Sequence, residues 1–483
     1  MGRIPKLYLA LLLLSVIVNR SLQKFTISTT FSKLKDFHDR CAPFAYGSQI
    51  YILKKMKFVV EQASKGGRLG KLTGLRSQPT VVHDTPLSMI SSLGGSAPHL
   101  TQIRKYQCVF PAQHFCDLTK TLQKFKKGVA QFSALKSHSV CVTVQDATKM
   151  TPSGYNEKKG ISVWTYGGRQ VIAAERYMEL VEAMQPDWYE ALNDADTDVN
   201  SSKKRISKSV MNSTLMLDQC IDISKKKQGL HEAALFAPLL GGYNEDERKR
   251  FSKAIMEKIK NESVSGFSLL GLHTNGATAE KLDAKLISNL VKVSLDPLPQ
   301  GLPRQASGAW NPLTVITLVQ QGVDIFDSSF PYLVTERKGA LIFPISLTKE
   351  NLEHQNKKLK SDNNSEISNE DKQLNKGDEE TKENIPEDEL SSAYEMCLKD
   401  KSNLYSTKPL LDGCQCYTCQ NFTQAYIHHL INVNELLGPV LLMVHNLHHW
   451  MAFFKSIRSA VKNDSLENLK SLIQSHVSAT GKL

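Results

Sequence analysis

Along residues 233–346, apolar positions alternate between two periods, one of strands and one of helices. Ala233–Leu240 is a short apolar run closed by Gly241 and Gly242, as expected of a buried strand. Asn244 then stands as an N-cap, with Glu245, Asp246 and Glu247 in the first turn, where the helix dipole favours carboxylates. Phe251, Ile255 and Ile259 follow at fourfold spacing and predict one buried helix face. Gly266–Leu272 reads as the next strand, and Leu282, Leu286 and Leu290 mark the next helix. Asn311-Pro312 is a cap followed by a first-turn proline, with Val315, Leu318 and Val319 as the core face. Asp324–Phe330 and Gly339–Ile345 read as strands again. Upstream, Val140–Val144 and Ser162–Trp164 read as strands, and Ala173–Met184 as a helix stopped by Pro186. Strand and helix alternating at this spacing predict parallel βαβ units, and seven or eight of them complete a barrel. The expected fold class is therefore α/β, a (β/α)8 TIM-type barrel over residues 56–348.

Two stretches break this rhythm. Residues 349–400 contain no Phe, Trp or Val and are dense in Asn, Ser, Glu, Lys and Asp. Too little apolar surface can be buried there to offset chain entropy, which predicts a disordered acidic insert. Residues 1–55 open with Arg3 and Lys6 before the apolar run Leu7–Val18, which resembles a signal peptide. The following Asn19-Arg20-Ser21 is a poor cleavage site, and Met56 offers a second start. This N-terminal extension is read as a signal-like segment or a mis-assigned start, outside the functional fold. Residues 401–483 remain as a C-terminal helical region.

Composition then narrows the function. In 483 residues, 41% are hydrophobic and 22% charged, so a large core can form. No apolar run reaches about 18 residues, the length that a transmembrane span needs, so no such span is expected. The net charge is +12; residues 1–55 carry +7 and residues 349–400 carry −7. The remainder is therefore also +12, and the basic character belongs to the expected barrel and C-terminal region. That excess favours a polyanionic partner such as nucleic acid. Nothing matches a GxGxxG nucleotide fingerprint; Gly66–Lys71 looks like a phosphate loop, but its spacing is wrong and Leu72 stands where Ser or Thr is needed.

Nine cysteines in so long a chain do not form a secreted disulfide framework. Three of them, Cys414, Cys416 and Cys419, fall within six residues. Crowded thiolates repel and need a metal or oxidation to neutralise them. Zinc takes four ligands in a tetrahedron, so three sulfurs call for one more donor. His428, His429, His445, His448 and His449 lie downstream. Residues 421–437 read as one helix, broken by Gly438-Pro439; a second, Val440–Val461, would return antiparallel and bring His445 towards Cys419. Three thiolates and an imidazole close the coordination shell, which is the pattern of a structural site.

Cys414-x-Cys416-x2-Cys419, then 25 residues and His445, is similar to the zinc signature of the tRNA-guanine transglycosylases. Gln185-Pro186-Asp187, Leu239–Gly242, Gly322–Asp327 and Pro331 resemble that family's blocks in the same order, over approximately Met56–Ser346 and Pro409–Val477. Gly94–Thr101, Gln185–Trp188 and Phe330–Arg337 look like the accessory, non-catalytic branch of its eukaryotic queuine-inserting members. The resemblance implies a barrel with a C-terminal zinc-binding subdomain, holding one structural zinc on Cys414, Cys416, Cys419 and His445. It also implies participation in exchanging guanine for queuine at the wobble position of tRNAs with GUN anticodons. In that chemistry an aspartate attacks the ribose C1′ and displaces guanine, and a second aspartate handles protons.

Carried over by position, the resemblance puts Asp327 at the nucleophile, within Phe326-Asp327 and Pro331, but Tyr332-Leu333 replaces the family's Thr-Arg. The proton-handling block matches Thr165-Tyr166-Gly167-Gly168-Arg169-Gln170, with Thr165 in place of the acid/base and Tyr166 and Arg169 expected to crowd a purine pocket. The base-reading aspartate falls at Asn193 or Asp194. A threonine does not ionise at neutral pH, and a general acid/base contributes about 10²–10⁴-fold, so no catalytic residue is expected. The chain is thus expected to be inactive alone, as the partner of a catalytic queuine tRNA-ribosyltransferase subunit in a heterodimer that binds tRNA. Its expected location is cytoplasmic, including the mitochondrial outer surface. The competing readings are a self-sufficient transglycosylase using Asp327 and a non-enzymatic zinc-containing RNA-binding protein. Lys203-Lys204-Arg205 and Lys225-Lys226-Lys227 are candidate phosphate contacts. The stripe Leu447, Met451, Phe454, Ile457 and Val461 must be buried, against the barrel or in a subunit interface.

Overall fold

The computed structural model describes residues 56–64, 66–100, 106–259, 263–346 and 392–480. The signal-like N-terminal extension and most of the acidic insert lie outside the described residues. Fifteen strands occur among those described: β1 (Lys57–Ser64), β2 (Gly67–Thr73), β3 (His83–Thr85), β4 (Leu87–Ser91), β5 (Cys108–Pro111), β6 (Val140–Thr143), β7 (Ile161–Thr165), β8 (Gly168–Ile172), β9 (Trp188–Glu190), β10 (Ala234–Leu239), β11 (Gly266–Leu269), β12 (Arg304–Gln305), β13 (Ile325–Asp327), β14 (Gly339–Leu341) and β15 (Glu395–Cys397).

Eight of these strands close a barrel in chain order, β4-β5-β6-β9-β10-β11-β12-β13 and back to β4. Every neighbouring pair is parallel, as the alternating pattern predicts. Crossover helices include Ala174–Met184, Lys203–Lys226, Glu245–Ile259, Ala284–Leu295 and Pro312–Gln320. Their starts follow local chemistry. Asn244 Oδ1 accepts the Glu247 amide at 3.0 Å, and Asn311 Oδ1 accepts the Thr314 amide at 2.9 Å with Pro312 in the first turn.

One end of the barrel is closed by the antiparallel sheet β1-β2-β3. Gly66–Lys71 forms its first hairpin and contributes no phosphate loop. Leu72 and Leu75 pack there with Leu87, Met89, Trp188, Phe236 and Ile325. Arg68 fastens the sheet to the barrel, its Nε donating to Asp324 Oδ1 at 2.9 Å in a fully buried pair.

Four expectations change, the first being the strand expected over Gly339–Ile345, which ends at Leu341 and lies outside the barrel. Ser162–Trp164 is a strand, but it belongs to the two-stranded hairpin β7-β8 and not to the barrel. The strand expected over Asp324–Phe330 stops at Asp327, and Ser329–Glu336 is helical. Residues 392–400, grouped by composition with the acidic insert of 349–400, are built into the fold. There β15 pairs antiparallel with β14, and Glu395 is fully buried against Arg337, whose Nε donates to it at 2.9 Å. The acidic segment therefore leaves and returns through two adjacent strands.

The Leu437–Lys462 helix lies on the β13–β4 seam. Trp450 Nε1 donates to Ser88 Oγ at 3.1 Å and to the Asp327 carbonyl at 3.3 Å, and the Phe454 ring lies 5.4 Å from that of Phe326. Leu447, Phe454, Ile457 and Val461 are buried within this chain, with Met451 half-buried. Their stripe serves packing on the barrel. Among the described residues, no helix is long and apolar enough to cross a membrane.

Candidate functional site

The C-terminal region builds a four-donor cluster. Gly413, at φ 76°, makes the turn that delivers Cys414. Cys416 caps the short Tyr417–Asn421 helix, its sulfur accepting the Cys419 amide at 3.3 Å. His445 comes from the third turn of the Leu437–Lys462 helix, which returns past the cysteines as the antiparallel arrangement predicts. Its Nδ1 lies 3.8, 3.5 and 3.3 Å from the sulfurs of Cys414, Cys416 and Cys419. All four ligand atoms fall within 4.8 Å of one another.

This donor set fits a tetrahedral ion. With metal–sulfur bonds of about 2.3 Å and a metal–nitrogen bond of about 2.0–2.1 Å, a tetrahedron puts sulfur and nitrogen about 3.6 Å apart. The observed separations bracket that value. His445 Nε2 donates to the Leu341 carbonyl at 2.8 Å, which fixes the tautomer and turns the Nδ1 lone pair towards the sulfurs. The neighbouring Asn446 clamps the same strand, accepting the Leu341 amide and donating to the Gly339 carbonyl. Hydrogen bonds from Cys416 and Cys419 hold the Cys414 thiol far below the ordinary range, whereas those shared with Cys414 and Cys416 push Cys419 far up. A bound cation removes the repulsion that keeps the last proton on. Of the five downstream histidines, only His445 joins this cluster. His428 instead bonds the Leu398 carbonyl through Nδ1, and His449 packs edge-on against Phe343.

The second region is the C-terminal mouth of the barrel, where (β/α)8 enzymes carry their chemistry. Asp327 ends β13 there and is 2% exposed. Both of its oxygens are engaged by the backbone: Oδ2 accepts the Gly308 amide at 3.0 Å and Oδ1 the Ser329 amide at 2.9 Å. Gly308 sits at φ 146°, and a Cβ there would come within 2.8 Å of His273 Nε2. Burial pushes the Asp327 carboxyl up to about 6 despite those amides.

A small cavity of about 50 Å³ opens beside it, lined by Glu190, Asn193, Asp196, His273, Asn275 and Ser307 among others. Asn193 faces the cavity, whereas Asp194 is consumed by a buried pair with Arg205 and by Asn212 Nδ2 at 3.0 Å. Arg205 is thus tied down, while Lys203 and Lys204 of the same run are exposed. In the other run Lys227 pairs with Glu182 at 2.7 Å, and Lys225 and Lys226 are exposed.

Thr165 is not at the mouth between these groups. It ends β7, and its hydroxyl donates to the Gly168 carbonyl and accepts the Gly167 amide, each at 3.1 Å, inside the hairpin turn. Tyr166 beside it is 99% exposed, and Arg169 stacks over Tyr155, so neither crowds the barrel cavity. The carboxylates whose charge acts on or feels Asp327 are Asp146 and Glu190. Asp146 pairs with His114 at 3.2 Å; burial opposes its ionisation, but bonds from His114 and Thr148 hold it below the usual carboxylate range. Glu190 lies under the cavity, where burial raises it to about 7 and Gln305 Nε2 approaches at 3.4 Å. Sequence reasoning missed both. Glu190 is only three residues past the Gln185-Pro186-Asp187 block, and an acid inside an apolar strand is the signal that pointed to it.

Comparison with known proteins agrees with this geometry. A family profile described as queuine tRNA-ribosyltransferase matches residues 63–478. A protein of Ixodes scapularis named queuine tRNA-ribosyltransferase accessory subunit 2 is 34% identical over 414 residues, covering 83% of this chain and 96% of its own length. Proteins of the same name from Anopheles gambiae and Gallus gallus are 33% and 34% identical, covering 86% and 84% of this chain and 89% and 94% of their own lengths. Barrel, four-donor cluster and sequence agree: the chain belongs to the queuine tRNA-ribosyltransferase family.

Proposed function

We propose that this chain is the non-catalytic subunit of a heterodimeric queuine tRNA-ribosyltransferase, serving tRNA binding and the dimer while a catalytic homologue exchanges the base. The observation that carries this reading is the state of Asp327. Its two oxygens are each held by a backbone amide, and the uncharged Asn193 lines the cavity beside it. A carboxylate bonded in this way caps a strand end and is a poor nucleophile. The name of the relatives, accessory subunit 2, points the same way. The metal is zinc, structural, one per chain: Cys414, Cys416, Cys419 and His445 fill a tetrahedron and leave no open position for water. Thiolates of this kind belong in a reducing compartment, which fits a cytoplasmic protein.

The test is base exchange on a GUN-anticodon tRNA with labelled queuine or guanine. The purified chain alone should incorporate none, and it should raise incorporation when its catalytic homologue is added. Incorporation at an ordinary enzymatic rate by the chain alone would sink the reading.

A self-sufficient transglycosylase has one observation in its favour: Glu190, titrating near 7, lies under the cavity and feels the charge of Asp327. On that reading Glu190 handles the proton, and Asp327→Asn abolishes a covalent tRNA adduct that the wild-type chain forms by itself.

A further inference from the structure

The hairpin β7-β8 follows β6 in the chain, and the hairpin and the segment leading into it expose aromatic and apolar side chains. Tyr166 at the hairpin tip is 99% exposed, and Met150 and Tyr155 ahead of the hairpin are 67% and 50% exposed. Beneath it lies a cavity of about 390 Å³, lined by Gly94, His114, Met150, Pro152, Trp164 and Tyr166 among others, within the size range of small-ligand sites. Trp164 is braced edge-on by Tyr155 at 5.7 Å, and Arg169 sits 5.4 Å above the Tyr155 ring. The hairpin is held in place. Gln170 Nε2 donates to Asp117, and Arg176 donates to Gln170 Oε1 at 2.7 Å, on top of the Thr165 bonds inside the turn. The hairpin turn that carries Tyr166 is therefore held in place before any partner binds.

Charge identifies the occupant. Lys149–Gln170 contains Lys149, Lys158, Lys159 and Arg169 against Glu157 alone, and all four cations are exposed. Exposed aromatics interleaved with cations form the surface that stacks unpaired bases while contacting the adjoining phosphates. We propose that this pocket is a stacking site for an unpaired nucleobase of RNA, with Tyr166 as the principal ring and Lys158 and Lys159 on the phosphates. The proposal rests on the reading of the chain as a tRNA-binding subunit and names where an unpaired base would sit. Tyr166 is a binding residue here, with no part in the exchange chemistry.

Fluorescence anisotropy on the full, metal-loaded chain tests it, with a labelled GUN anticodon stem-loop and a fully paired RNA of equal length, across a salt series. Tyr166→Ala should weaken stem-loop binding about 5- to 150-fold, the range for losing one stacked base. It should leave the paired RNA and the salt slope unchanged, and Tyr166→Phe should bind like wild type. Replacing Lys158 and Lys159 by Gln should weaken both RNAs and reduce the salt slope by about one to two. Tyr166 touches solvent on nearly every side, so its loss does not threaten the fold. If the wild type binds the stem-loop and Tyr166→Ala binds it equally well, or loses both RNAs alike, the stacking site is refuted. If Tyr166→Ala keeps RNA affinity but loses co-purification with the catalytic homologue, the patch is a protein contact and the proposal is likewise refuted. A wild-type chain that binds neither RNA overturns the tRNA-binding reading itself.

Discussion

The metal cluster and the barrel mouth are both reached by one helix, Leu437–Lys462, through His445 and Trp450, and are built in very different ways. At one end of the comparison, four donors converge with separations that suit a tetrahedral ion, and a carbonyl orients the imidazole. At the other, the Asp327 carboxylate is held by two amides, and the carboxylates whose charge it shares are Asp146 and the buried Glu190. A structural metal site is needed as long as the fold is needed. A catalytic mouth is needed only while the chain performs chemistry, and strand-end residues are free to change without loss of the barrel. On the reading proposed above, fold and metal site persist where the machinery of turnover does not.

The largest test of the contrast is at the metal. Cys416→Ser should lower zinc stoichiometry by elemental analysis and loosen the C-terminal helices to proteolysis. A structural zinc site carries about 10–16 kcal/mol of binding free energy, so the loss of one ligand has the greatest effect of any substitution considered. Unchanged metal content would remove Cys416 from the site and with it half of the comparison.

Trp450 joins the two regions, being on the same helix as His445 while bonding Ser88 and the Asp327 carbonyl. Trp450→Ala should cost about 3–5 kcal/mol in urea unfolding, the usual penalty for emptying a buried aromatic site. If the regions are mechanically joined, metal retention should fall as well. Full metal retention at a normal unfolding midpoint would show them to be independent.

At the mouth, the buried acid predicts a pH dependence. Glu190 rises from its ordinary 4.5 to about 7 on burial, so between those values the folded state binds more protons than the unfolded. Stability should therefore fall as pH rises through that window and level off above about 7. A shift of this size corresponds to about 3 kcal/mol. Asp327, also raised by burial, to about 6, adds to the slope in the lower part of the window. Glu190→Gln should therefore flatten the slope most between about pH 6 and 7, and be more stable than wild type at pH 8, with little difference at pH 4.5. Thermal unfolding across that range decides it. A slope between about pH 6 and 7 as steep in the variant as in wild type would mean that Glu190 is not the buried acid responsible.

How much of this could be read from sequence follows from how local each signal is. The helices at 245–259 and 312–320 announce themselves through caps and fourfold apolar spacing, and Cys414, Cys416, Cys419 and His445 through donor type and spacing. The two-residue strand Arg304–Gln305 is too short for any periodicity to register, although it supplies Gln305 to the barrel interior. Ile161–Thr165 has the pattern of a barrel strand, because burial by a hairpin partner and burial by a barrel leave the same trace. The pairing of β14 with β15 brings together residues separated by the acidic insert, which no local pattern can report. Thr165 was misplaced for a similar reason: its Gly167-Gly168 neighbours mark a turn, and a glycine pair does not say which turn.

That misplacement yields the smallest predicted effect and the finest test of the comparison. If Thr165 occupied the proton-handling position, Thr165→Asp would return a general acid to the mouth and some base exchange to the isolated chain. Its hydroxyl instead serves the β7-β8 turn, next to Asp117 and Gln170. Thr165→Asp should accordingly confer no base exchange on the isolated chain. A stability loss of about 1 kcal/mol is expected, from the hydrogen bonds that the hydroxyl gives up in the turn. Any gain of exchange by the variant alone would put the hairpin back at the mouth. The contrast between a kept metal and a lost catalytic centre would then rest on a single side chain and not on the architecture of the strand ends.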